Sequence, residues 1–131
     1  MGPAQSTSCG CSGGARCSDG RGSANWARLG GFGRGPTAVV VKRGEKGATV
    51  FEKDKPPLDV PGFPVEVYNV LGAGDAFAAG FIYGLVKGWS YYQAARMGNA
   101  GGAIVVTRHG CANFMAYEDE ALKFVAERGG F

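Results

Sequence analysis

An α/β fold is predicted for residues 37–131, on three observations. A β-branched run is followed by a glycine turn and a second apolar run. A small-residue turn then opens an apolar helical stretch. Two further helical patterns close the chain, each with its own start or stop signals.

The elements follow in order. Residues 37–42 (Thr-Ala-Val-Val-Val-Lys) read as a buried strand, because β-branched side chains suit a pleated surface. Arg43-Gly44-Glu45-Lys46-Gly47 makes a turn, and residues 48–52 return as a second strand. Residues 53–64 carry Pro56, Pro57, Pro61 and Pro64 and are expected to form a loop, since proline cannot serve a helix interior or an inner strand. Residues 65–68 alternate apolar and polar residues up to the turn.

The first helix is expected over residues 75–86, with Phe77, Phe81, Ile82 and Leu85 on one stripe. Ala76, Gly80 and Gly84 recur every fourth residue, so a second backbone can approach along that line, and Gly88 ends the helix. Ser90 and Gln93 form a capping box for the second helix. That helix runs through Ala94, Ala95, Ala100 and Ala103 into Ile104-Val105-Val106, with Arg108-His109-Gly110 as its expected end. The third starts near Tyr117, places Glu118, Asp119 and Glu120 in its first turn, and closes at Arg128.

Residues 1–36 are different. They hold ten glycines, Cys9, Cys11 and Cys17, and no periodicity, and they are expected to be disordered. A second reading is that this stretch is not native protein, because Gly, Ala, Arg, Ser and Cys crowd together when GC-rich DNA is read out of frame. The formal charge of +3 resides here: residues 1–36 carry four arginines and one acid, whereas residues 37–131 balance ten bases with ten acids. A neutral folded part argues against a nucleic-acid surface. No apolar run approaches the length of a membrane span, and the expectation is a soluble, cytoplasmic protein. The cysteines, with Cys111 and His109, fit no common zinc spacing and read as free thiols.

Chemistry concentrates at residues 69–77, Asn-Val-Leu-Gly-Ala-Gly-Asp-Ala-Phe. Gly72, Ala73 and Gly74 can turn backbone N–H groups into one space at a helix N-terminus, an arrangement that holds a phosphate. Asp75 beside it can accept a proton from an attacking hydroxyl. Those are the parts of a kinase for a small alcohol. The plain alternative is a strand-to-helix turn in which Asp75 only stabilises the helix start.

Residues 37–128 resemble the C-terminal third of a ribokinase-like (PfkB) carbohydrate kinase, which has a three-layer α/β/α fold. The resemblance rests on Gly72-Ala73-Gly74-Asp75-Ala76-Phe77, on residues 42–47, and on Asn99-Ala100-Gly101-Gly102-Ala103 leading to Val106-Thr107-Arg108-His109-Gly110. Asn69-Val70-Leu71 and the run from Arg108 to Met115 are most similar to the branch that phosphorylates 5-dehydro-2-deoxygluconate, a sugar acid of inositol breakdown.

The resemblance implies that Asp75 is the base and that the N–H groups around Gly72, Ala73 and Gly74 form the anion hole. It implies that Lys42, Arg43, Gly44, Glu45, Lys46 and Gly47 border the ATP phosphates and ribose, and that Asn99 lies near the adenine. ATP and Mg2+ are the implied cofactors. Asn69, Leu71, Val105, Arg108 and Gly110 match positions that support a monovalent cation, K+.

This chain departs from the family at several points. Asn69-Val70 stands where the family has Asp-Thr or Asp-Ser, which removes a charge from the cation site, and no Asn is followed by Glu three residues later. The sugar-binding portion is not matched, so the chain alone is expected to have negligible turnover. The alternatives are a non-catalytic fragment that binds nucleotide weakly or self-associates, and a kinase for ribose, fructose or 2-keto-3-deoxygluconate.

Overall fold

A computed structural model describes residues 7–8, 36–110 and 112–131. Four strands form one sheet in the order β1-β2-β3-β4: β1 (Thr7–Ser8), β2 (Ala38–Lys42), β3 (Ala48–Glu52) and β4 (Leu58–Val60). β2 and β3 pair antiparallel, with Val40 opposite Val50 and Lys42 opposite Ala48. β4 adds antiparallel to β3, with Ala48 opposite Val60. β1 pairs parallel to β2, with Thr7 opposite Val39.

Two expectations are corrected here. Residues 58–60 were expected to be loop and are a strand, because Pro56, Pro57 and Pro61 flank the ladder without entering it. Residues 7–8 were expected to be disordered and form the short β1; backbone pairing at an open strand edge needs no particular side chain. The rest of that expectation, with Cys9, Cys11, Cys17 and Cys111, lies outside the described residues.

Three helices follow: α1 (Ala73–Val86), α2 (Tyr91–Val106) and α3 (Glu118–Glu127). α1 starts two residues before Asp75, since Gly72 takes the cap position with φ 86°. It ends as the sequence indicates: Gly88 N–H donates to Leu85 O and Trp89 N–H to Gly84 O, both at 3.0 Å, a Schellman pair. At Ser90 both arms of the capping box form, Gln93 N–H to Ser90 Oγ at 3.3 Å and Ser90 N–H to Gln93 Oε1 at 3.2 Å. α2 stops at Val106, earlier than expected, with Thr107 as its cap and not Gly110; the Thr107 hydroxyl donates to Ile104 O at 2.7 Å.

Inward residues of the sheet (Ala38, Val40, Ala48, Val50 and Val60) pack on Phe77 and Phe81 of α1 and on Ala94 and Ala95 of α2. Ile82, expected on that stripe, is 53% exposed. It lies one residue beyond Phe81, which rotates it about 100° toward solvent. The line of small residues does let two backbones meet. A Cβ on Gly80 would lie 2.7 Å from Met97 O, and one on Gly84 would lie 2.6 Å from Ala94 Cα. α2 is thereby central: it packs on the sheet and on α1, and on α3 through Met97, Ile104 and Ala121.

Two outcomes follow. Gly80→Val places side-chain atoms inside the α1–α2 crossing and is expected to cost about 2–3 kcal/mol, read by urea unfolding. The Tyr83 hydroxyl donates to the Glu118 carboxylate, and this hydrogen bond raises its pKa above the ordinary tyrosine value. A raised folded pKa stabilises at pH below the unfolded value, and that contribution is lost as pH rises through the folded one. The tie between α1 and α3 is therefore expected to loosen only in strongly alkaline solution. In a near-ultraviolet absorbance titration, a late-ionising tyrosine should disappear in Tyr83→Phe.

Candidate functional site: a cavity between the strand turn and two helices

The site begins with two loops held back to back. After Lys42 the chain makes a tight turn in which Arg43 N–H donates to Gly47 O at 2.8 Å. Gly47 has φ 88°, and a Cβ there would lie 2.1 Å from Val60 O, so only glycine lets this turn lie against residues 60–62. α2 fixes that second loop from behind. The buried Asn99 amide donates to Val60 O at 3.2 Å and Pro61 O at 3.0 Å. The buried guanidinium of Arg96 donates to Pro61 O at 3.1 Å, Arg128 O at 3.0 Å and Gly130 O at 3.3 Å, and lies 3.9 Å above the Phe63 ring.

The start of α1 forms the opposite wall. First-turn N–H groups of a helix have no intrahelical acceptor. Ala73 N–H turns to Val70 O at 3.3 Å, and Ala76 N–H closes on Gly72 O at 2.9 Å. The N–H groups of Gly74 and Asp75 have no carbonyl partner among the described residues. Of the three N–H groups expected here, only that of Ala73 is paired among the described residues, with Val70 O.

Between these walls lies a cavity of about 650 Å³, the size of a nucleotide or drug-sized ligand. It joins all three of the stretches singled out in the sequence. Lys42, Gly44, Glu45 and Gly47 line it from the turn, Ala73 and Gly74 from α1, and Asn99 from α2. Arg43 and Lys46 do not. Arg43 is paired with Asp59 at 2.9 Å, and Lys46 is exposed. Gly72 and Asp75 are also outside the lining, and Asp75 is exposed just past Gly74.

The sequence reading missed Gly62, Phe63, Pro64, Val65, Val67, Val70 and Phe77, together with Gly102, Ala103 and Val106 of α2. A signal for the last three was present: with Asn99 they fall at i, i+3, i+4 and i+7, one helix face. Asn99 itself is no exposed helix residue, at 8% exposure.

The residues matched to a cation site lie outside this cavity. Tyr68 N–H and Asn69 N–H both donate to Val106 O, at 2.8 and 3.2 Å, which draws residues 68–69 to the end of α2. The Asn69 side-chain oxygen accepts Leu71 N–H at 2.9 Å, and Val105 O accepts Arg108 N–H at 3.0 Å. The Arg108 guanidinium is committed to Phe114 O and to the Glu120 carboxylate, so it is a structural tie. Gly110 lies under the Phe114 ring, and His109 meets Tyr68 with ring centroids 5.3 Å apart. Among the described residues no group of three or more His, Cys, Asp or Glu could hold a metal ion.

A helix N-terminus, a glycine turn and a cavity of nucleotide size thus meet at one place in the fold. Comparison with known proteins agrees. The model of the pfkB family carbohydrate kinases matches residues 28–117, and this chain belongs to that family. It is 35% identical over 97 residues to the 5-dehydro-2-deoxygluconokinase of Clostridium tetani, a match covering 74% of this chain and 29% of that protein. Among solved structures it is similar to Arabidopsis thaliana ribokinase complexed with ribose and ATP, with TM-score 0.69 and 28% identity, over 79% of this chain and 32% of that one. An E. coli chain of ribokinase II type in complex with ATP and Mg2+ gives TM-score 0.69 and 30% identity, over 82% and 33%. The fold is therefore the ribokinase-like α/β fold in part, and the chain spans under a third of the length of the curated relative it matches.

The Asn99 bridge makes a prediction. Asn99→Leu removes the donor to two buried carbonyls and is expected to cost about 1–3 kcal/mol in denaturant unfolding. Amide exchange should accelerate at Gly62 and Gly47 ahead of the α2 core.

Proposed function

We propose that this chain carries the nucleotide half of a kinase that transfers the γ-phosphoryl group of ATP to a hydroxyl of a sugar or sugar acid, with 5-dehydro-2-deoxygluconate as the acceptor. The cavity carries this reading, because it gathers Lys42, Gly44, Glu45, Gly47, Gly74 and Asn99 from three separate stretches onto one ligand-sized space. Similarity to the 5-dehydro-2-deoxygluconokinase of Clostridium tetani supports the choice of acceptor.

In this reading the base of the nucleotide enters the apolar part of the cavity near Asn99, and its phosphates run toward Gly74. Asp75 accepts the proton of the attacking hydroxyl as the new O–P bond forms. The bond from the γ-phosphorus to the bridging oxygen breaks, and ADP leaves with that oxygen. The Gly74 and Asp75 N–H groups offset charge developing on the phosphoryl oxygens. Mg2+ bound together with ATP would supply partial neutralisation of the phosphate charge. For K+ the reading rests on backbone oxygens alone, since the Asn69 side-chain oxygen is committed to the Leu71 N–H.

Residues 37–131 are read as the nucleotide-binding part, residues 1–36 as a separate leader, and the cytoplasm as the compartment. No helix among the described residues is long and apolar enough to cross a membrane. Catalysis also needs the acceptor held in line with the γ-phosphate, so the chain alone is expected to turn over negligibly. A second reading, self-association, is favoured by exposed Val67, Tyr68, Val70 and Leu71, four neighbours at 54–74% exposure.

Amide NMR of the chain with Mg·ATP tests the proposal. Shifts are expected at Lys42, Gly44, Glu45, Gly47, Gly74 and Asn99, with α3 unmoved; a spectrum indifferent to ATP removes the nucleotide reading. Steady ADP release that depends on 5-dehydro-2-deoxygluconate and is lost in Asp75→Asn would show the chain to be active by itself.

A further inference from the structure

Arg96 is a buried charge with no carboxylate partner among the described residues. Each nitrogen of its guanidinium donates to a carbonyl: Nη1 to Pro61 O, Nη2 to Arg128 O and Nε to Gly130 O. Pro61 belongs to the loop that walls the cavity, and the other two acceptors belong to the turn after α3. A planar fork of this kind fixes two segments against each other, which the single ammonium of a lysine does not do.

The turn after α3 is closed by further contacts. Gly130 N–H donates back to Val125 O at 2.9 Å, with Gly129 at φ 98° and Gly130 at φ 73°. Phe131 then sets its ring against Trp89, with centroids 4.9 Å apart, and Trp89 meets Tyr83 of α1 at 5.5 Å. On the other side, the Arg96 guanidinium lies over the ring of Phe63, a lining residue of the cavity. None of residues 128–131 lines the cavity, and they reach its wall through Arg96.

Resting on the kinase reading above, we propose that Arg96 is a positioning residue for the nucleotide and that residues 128–131 are the clasp that sets it. With the clasp closed, Arg96 holds Pro61 and Phe63 where the ligand meets them. With the clasp open, Arg96 loses two of its three acceptors, and the wall loses the fork that fixed it. The ligand binds the closed state more tightly, so binding and closure favour each other by the same factor.

Phe131→Ala, Phe131→Tyr and Arg96→Lys in the full chain test this, by calorimetric titration with Mg·ATP and by NMR exchange of the Arg96 Nε–H. Phe131→Ala removes the contact with Trp89 without altering a cavity residue. It is expected to speed Arg96 Nε–H exchange and to weaken ATP about threefold, within the roughly tenfold that one aromatic pair can carry. Phe131→Tyr keeps a ring on Trp89 and should restore both. Arg96→Lys should weaken ATP by more than Phe131→Ala does, because it removes the fork itself. In the wild type, saturating Mg·ATP should slow Arg96 Nε–H exchange. A purely structural role would lower the urea midpoint of Phe131→Ala and leave the ATP affinity of the folded chain unchanged. Unchanged ATP affinity in Phe131→Ala, unchanged Nε–H exchange in that variant, or exchange indifferent to Mg·ATP in the wild type would overturn the coupling while leaving the nucleotide site standing. A wild-type chain that does not bind Mg·ATP would remove the kinase reading and this proposal with it.

Discussion

Two buried donors on one helix hold the site in place. Arg96 and Asn99, three residues apart and so on the same face of α2, both donate to the carbonyl of Pro61. Neither side chain has an acid partner in this contact. They satisfy backbone carbonyls of residues 60–61, which a loop following an edge strand would otherwise bury without partners. The same loop supports the turn after β2, because Gly47 lies directly against Val60 and Gly62. α2 therefore sets the position of a glycine turn that it barely touches, through one intervening loop. Arg96 extends the bracket to the end of α3 through Arg128 O and Gly130 O, so the last turn of the chain is tied to the cavity wall as well.

The second wall depends on backbone proximity in place of polar bridging. Gly80 and Gly84 let α1 lie so close to α2 that any side chain at either position would strike the other helix. This crossing fixes where α1 begins, and so where Gly74 stands relative to Lys42. The cavity is consequently the gap left between two rigidly connected bodies. Its apolar residues, Phe63, Phe77, Ala103 and Val106, come from elements whose other faces are core. Buried polar groups that are fully paired specify one geometry, and a close glycine crossing does the same by excluding alternatives.

Much of this was legible in the sequence because the signals were local. The capping box at Ser90 and the Schellman glycine at Gly88 each name their own partner a few residues away, and the Ala76-Gly80-Gly84 line marks its close-approach face by its own spacing. The misreadings came from tertiary pairing. Residues 58–60 lack a strand-like length, and only the exposed edge of β3 makes them a strand. Ile82 belongs to the apolar run but not to its buried face, and Thr107 caps α2 with its own hydroxyl before Gly110 is reached. The site was half legible. The motifs named Gly74, Lys42 and Asn99, whereas the face of Asn99, Gly102, Ala103 and Val106 became a wall only once α2 had a neighbour across a gap. Nor could the sequence show that the chain folds back so that Val70 O takes the Ala73 N–H.

The turn at residues 72–75 also divides the space around it. Gly74 lines the cavity, and the next residue, Asp75, is exposed and outside its lining. Adjacent residues at a helix start point about 100° apart, which is enough to put a phosphate site and a carboxylate on different sides of one turn. In the proposed kinase reading, the donor would approach from within the fragment and the acceptor hydroxyl from the side where Asp75 is exposed. The donor side is built by the turn after β2, the 60–65 loop, Val67, Val70, α1 and α2, and the partly exposed Val67 and Val70 continue into the exposed Leu71 at the open rim. Nucleotide recognition can then persist in this part of the kinase fold while turnover depends on whatever covers that apolar edge.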